Sequence, residues 1–133
     1  MNLTQDERNA IVKFNLDKAN ETIAEIPVLM ENKFYRNAAN RLYYACFYAT
    51  TALLINDKHK AHTHKGVKLL LGLHYIKENK IEKSFSKIYD SLFFMRQTGD
   101  YEDCHIIKEE DIIPLIDPAQ KFITEIENLI YKK

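Results

Sequence analysis

The chain has 133 residues, with 19 lysines and arginines balancing 19 aspartates and glutamates. It is long enough to bury a core without disulfides or metal, and it lacks the bulk positive charge that holds long nucleic acid non-specifically. With 46% hydrophobic residues, 29% charged residues and only three glycines and three prolines, it favours long helices over a many-stranded sheet. Cys46 and Cys104 lack Cys-x-x-Cys spacing, so there is no sign of a disulfide framework or zinc ribbon, and a reduced, cytoplasmic setting is expected.

The first residues are polar and charged where a signal peptide needs an apolar core, and the longest apolar stretch, Leu42 to Ile55, is interrupted by two threonines and falls short of the roughly 20 residues that span a bilayer. No membrane association is expected. Thr4 and Glu7 have capping-box spacing and open a first helix, with Ile11, Phe14, Ala19, Ile23, Ile26 and Met30 facing inward. Pro27 removes a backbone donor inside that pattern, which predicts a bend near Glu25. After a polar connector at Glu31 to Lys33, residues Phe34 to Asn56 form a second helix, apolar or aromatic around its circumference and therefore central.

A polar, histidine-bearing loop from Asn56 to Thr63 leads into a third helix, Gly66 to Glu78, with Val67, Leu70, Leu71 and His74 on one side. Thr63 supplies a cap near its start. The fourth helix, Ser84 to Asp100, carries Phe85, Tyr89, Leu92 and Arg96 on one stripe and frays near Gly99. Tyr101 to Ile116 reads as acidic and irregular, with at most a short turn near Glu109. Asp117, Pro118 and Gln120 then supply a cap, a first-turn proline and a capping-box partner for a last helix running to about Tyr131. Short connections between such helices predict an all-α, up-and-down bundle of four to five helices in one domain over residues 1–133.

Arg96 stands out because it prolongs an apolar stripe, and a guanidinium there must meet a carboxylate, carbonyls, a ligand or water. Asp100 lies one turn on and would make a structural ion pair; the other reading is a site facing an anion or RNA. Asn40, Arg41 and Tyr44 bring polar atoms to the most apolar helix, either satisfied within the bundle or lining the same cleft as Arg96. His59, His62 and His64 crowd one loop, yet no cysteine or carboxylate cluster completes a tetrahedral set, so no metal site is expected. His64 reads first as a residue helping to begin the third helix. An arginine with a histidine can cleave RNA without metal, the imidazole moving a proton while the guanidinium steadies the phosphate, but eight residues separate Arg96 from His105. Glycine-rich phosphate loops, Gly-x-Ser-x-Gly elbows and His-Glu-x-x-His helices are missing, and no cofactor is indicated.

The strings Ala39-Asn40-Arg41-Leu42-Tyr43-Tyr44-Ala45-Cys46-Phe47-Tyr48-Ala49, Thr63-His64-Lys65-Gly66 and Arg96-Gln97-Thr98-Gly99-Asp100-Tyr101, in that order, resemble the HEPN domain family over nearly the whole chain. The resemblance implies an all-α bundle that forms a homodimer, and, for small members, pairing with a minimal nucleotidyltransferase in a toxin–antitoxin module. It also implies either metal-independent RNA cleavage or a non-catalytic binding role. Active members carry an arginine followed shortly by a histidine. Arg96 matches the arginine, whereas Tyr101 occupies the histidine's place and His105 comes late, so Arg96 and His105 are the candidate catalytic pair only in the alternative of an active ribonuclease. The resemblance further implies that Asn40, Arg41, Tyr44, His64, Asp100 and Tyr101 surround a cleft for RNA or a nucleotide. A tyrosine phenol, with its ordinary pKa near 10, is a poor base at neutral pH, so the departure at Tyr101 favours binding over cleavage.

Overall fold

The computed structural model describes residues 2–99 and 106–132, and among these there is no β-strand. Helix α1 spans Gln5–Ile23. Its start is the capping box read from the sequence: the Thr4 hydroxyl accepts from the Glu7 N–H at 3.1 Å, and the Glu7 carboxylate accepts from the Thr4 N–H at 2.8 Å. The chain bends where Pro27 requires it, and α2 (Ile26–Glu31) begins with that proline in its first turn.

The inward register of α1 differs from the expected one. Val12, Leu16, Ala19 and Ile23 are buried, whereas Phe14 is 61% exposed. Spacings of four, three and four residues keep the first set on one stripe, and Phe14 lies two residues, about 200° of helix, away from Val12. The Lys18 ammonium lies 5.4 Å from the Phe14 ring centroid and 5.2 Å from that of Tyr48, bridging the two rings at the surface.

Helix α3 (Tyr35–Asn56) is the centre of the molecule and packs against α1, α2 and the three later helices. Ala38, Ala45, Ala49 and Ala52 are fully buried, and these small side chains let neighbouring helices approach from several directions around Leu42, Tyr43 and Leu53. Cys46 is buried among them, and burial pushes its thiol up to about 12, so it is inert packing.

Helix α4 (His64–Leu71) is capped by the Thr63 hydroxyl, which accepts from the Gly66 N–H at 2.8 Å. It does not continue as a regular helix to Glu78. A π-helical turn, Gly72–Ile76, widens it and brings Tyr75 into the core, where its hydroxyl donates to Asp57 at 2.6 Å. His74, placed inward by simple periodicity, stacks instead on His59 with ring centroids 4.2 Å apart.

Helix α5 (Ser84–Gly99) buries Tyr89 and Leu92 against α3. Helix α6 runs from Glu109 to Tyr131, so the irregular reading of residues 109–116 and the start at Asp117 are both corrected. Pro114 and Pro118 lie inside it, four residues apart and hence on one face, while Ile112, Leu115, Ala119, Phe122, Ile123 and Ile126 form a continuous buried stripe. An interior proline costs about 3 kcal/mol against alanine, and burying several such side chains at about 1.5–3 kcal/mol each outweighs it.

Candidate functional site

The site is built where α3, α4 and α5 meet. Tyr43 is fully buried on α3, and its hydroxyl shares a 2.8 Å hydrogen bond with Nδ1 of His64, the first residue of α4. The Arg96 guanidinium, from the last turn of α5, lies 5.4 Å from the Tyr43 ring centroid, within cation–π range. Tyr43 is thus held by His64 at its polar end and met by Arg96 at its ring. A salt bridge from Lys68 of α4 to Asp90 of α5, at 3.3 Å, helps fix the two helices that carry His64 and Arg96.

Aromatic rings surround this group. Phe47 lies 4.4 Å from the His64 ring, Tyr44 meets His64 edge-on at 5.6 Å, and Phe93 meets Tyr43 edge-on at 6.0 Å. Burial, and then the positive charge of Arg96, hold the His64 imidazole below its ordinary 6.5, so it is neutral at neutral pH. Burial pushes the Tyr43 phenol up to about 12, with Arg96 opposing. The phenol is therefore no base. Its hydrogen bond fixes the imidazole ring, and whichever group donates, Nε2 of His64 has the complementary capacity: a donor if Tyr43 donates to Nδ1, an acceptor if Nδ1–H donates to Tyr43. A neutral, oriented imidazole beside a guanidinium, on an aromatic platform, suits phosphate and base contacts.

The residues singled out from sequence divide into three sets. Arg96, His64 and Tyr44 come together around Tyr43. Arg41 points elsewhere: its guanidinium reaches the Glu25 carboxylate and the Thr22 hydroxyl, each at 3.3 Å, and ties α3 to the α1–α2 bend. Asn40 is half-buried one residue before it on α3. Asp100, Tyr101 and His105 lie outside the described residues. Tyr43 itself escaped the sequence reading because it sits in a run apolar on all sides; its spacing of four from Phe47 was the available signal. Among the described residues no group of three or more histidines, cysteines or carboxylates could hold a metal ion, and no helix is long and apolar enough to cross a membrane.

An all-α bundle with this arrangement of motifs agrees with the family comparison: the HEPN domain model matches residues 12–129, and the chain belongs to the HEPN domain family. Among its relatives, a "UPF0332 protein" of Thermotoga maritima is 32% identical over 125 residues, covering 94% of this chain and 95% of its own length. Two Methanocaldococcus jannaschii proteins named "Putative toxin" are also similar. One is 30% identical over 128 residues, covering 96% of this chain and 94% of the relative, and the other 26% identical over 118 residues, covering 89% and 80%.

Proposed function

We propose that this HEPN protein is the toxin-type member of a two-component module, acting as a homodimer beside a minimal nucleotidyltransferase and binding RNA or a nucleotide at the Arg96 site. The observation that carries the reading is the seating of the Arg96 guanidinium over Tyr43, whose hydroxyl orients His64. A guanidinium matches a phosphate through its planar fork of N–H donors, a neutral imidazole adds a donor or acceptor, and the surrounding rings suit bases. The names of the two archaeal relatives support the toxin assignment. Tyr44 belongs to the ring platform; Asn40, Asp100 and Tyr101 are carried from the family pattern as further binding residues, whereas Arg41, engaged by Glu25 and Thr22, is left out of the site.

A second reading, metal-independent RNA cleavage, draws on one observation. His64, bonded to the Tyr43 hydroxyl through Nδ1, shares that tyrosine with Arg96, and burial and then the charge of Arg96 hold it neutral, so it can accept a proton at neutral pH while Arg96 steadies the scissile phosphate. In this reading His64 takes the part that the spacing gave to His105. A cleavage assay in chelator separates the two readings. Binding without product fits the first; product lost in His64→Ala and retained in His105→Ala fits the second with His64 as its base, and the reverse pattern returns that part to His105. Absence of both binding and cleavage in the folded dimer contradicts both.

A further inference from the structure

Next to the Arg96 site lies a pocket of about 530 Å³, within the range of roughly 300–1,000 Å³ that small-molecule sites occupy. It opens between the start of α1 and the loop joining α3 to α4. Its apolar lining is Phe47, Leu54, Ile55, Val67, Leu3 and Ala61, and its charged lining is Arg8, Lys58 and Lys60, with no aspartate or glutamate among the described lining residues. The nearby Asp57 is engaged elsewhere, accepting from Tyr75 at 2.6 Å and Asn56 at 3.0 Å. Arg8 is already fixed, donating one N–H to the Ile55 carbonyl at 2.8 Å, so its guanidinium meets a ligand with little further ordering. Thr51 lines the pocket and keeps its hydroxyl buried without a hydrogen-bond partner among the described residues.

His64 joins this pocket to the Arg96 site. It lines the pocket, stands beside Phe47 at 4.4 Å, and holds Tyr43 through Nδ1. An apolar chamber with an aromatic wall and a cationic rim suits a ligand that is flat and unsaturated at one end and anionic at the other. On a chain of zero net charge this cationic rim is a local feature, sized for the phosphate of one nucleotide entering the pocket.

We infer that the pocket accepts a single nucleoside phosphate, its base lying against the paired rings of Phe47 and His64 and the aliphatic floor and its phosphate on Arg8, Lys58 and Lys60, as one unstacked residue of the RNA bound at Arg96. The inference rests on the proposed RNA-binding role. The shared chemistry, a base plus a phosphate, also belongs to a free mononucleotide, and the test has an arm for each source.

The probes are adenosine monophosphate, inorganic phosphate and a short single-stranded RNA, titrated into the isotope-labelled full chain and into Lys58→Gln/Lys60→Gln and Arg96→Ala variants. Both lysines are exposed, so the double variant is expected to fold, and its amide spectrum checks this. The expected result is that the monophosphate shifts amides of Leu54 to Val67 and that the lysine variant weakens both it and RNA at least tenfold, while Arg96→Ala weakens RNA far more than the monophosphate. RNA binding lost in Arg96→Ala but unchanged in the lysine variant overturns the pocket and leaves the Arg96 reading standing. A monophosphate bound in the pocket with no RNA binding at all overturns that reading, and with it the link to RNA. Inorganic phosphate matching the monophosphate in affinity overturns the base-binding part.

Discussion

Tyr43→Phe removes one hydroxyl from the centre of the site and little else, so its effect can be worked from the geometry. The ring stays, and with it the contact to Arg96 and the aromatic packing on Phe47, Tyr44 and Phe93. What is lost is the 2.8 Å hydrogen bond to His64. A neutral hydrogen bond contributes about 1 kcal/mol net, and more when the abandoned partner is sealed from water. His64 is half-buried, so water can partly replace the phenol, and a loss of about 1 kcal/mol is expected, with a melting point about 4 °C lower in a chain of this size. Urea unfolding of the wild type, Tyr43→Phe, His64→Ala and the double variant closes a thermodynamic cycle, in which the coupling between the two positions is expected near 1 kcal/mol. A coupling indistinguishable from zero would refute the claim that the phenol holds the imidazole.

Three other predictions address the surroundings of that bond. Because His64 has a folded pKa below its ordinary 6.5, the unfolded chain binds its proton first on acidification. The stability linked to this group is complete above pH 6.5 and is lost as pH falls through that value and then through the folded pKa. Melting curves between pH 8 and 5.5 are expected to fall less steeply for His64→Gln, and identical slopes would contradict the shift. Thr63→Ala removes the cap of α4 and is expected to cost about 1 kcal/mol in urea unfolding; since His64 is the first residue of that helix, RNA affinity should fall as well, and unchanged affinity would mean that the cap does not position the imidazole. Pro114→Ala restores a backbone donor inside α6 and is expected to raise stability by about 1–3 kcal/mol, whereas a loss would mean that the packing of α6 depends on the proline.

The fold was legible wherever one physical signal dominated. The all-round apolar run of α3, the Thr4–Glu7 and Thr63 caps and the bend at Pro27 are local features, and each was readable. The reading of α6 failed because Asp117-Pro118 has the chemistry of a helix start, while the buried stripe from Ile112 to Ile126 depends on packing against α3 and carries the helix through both prolines. The π-helical turn at Gly72–Ile76 escaped for a similar reason: Tyr75 reaches Asp57 only through tertiary structure. Arg96 drew notice as a charge on an apolar stripe. Its neighbours Tyr43 and His64 come from two other helices, and nothing in their sequence separation from Arg96 announces the contact.

The measurement that bears most directly on the Arg96 site is binding of a fluorescent single-stranded RNA to the wild type and to Arg96→Ala in chelator, at several salt concentrations and with melting curves for both proteins. Seating a phosphate on Arg96 predicts that the folded variant loses at least tenfold in affinity and that its salt dependence falls by about one phosphate contact. Equal affinity and equal salt dependence in the two proteins, with Arg96→Ala merely less stable, would contradict the account and leave Arg96 a structural residue of the bundle.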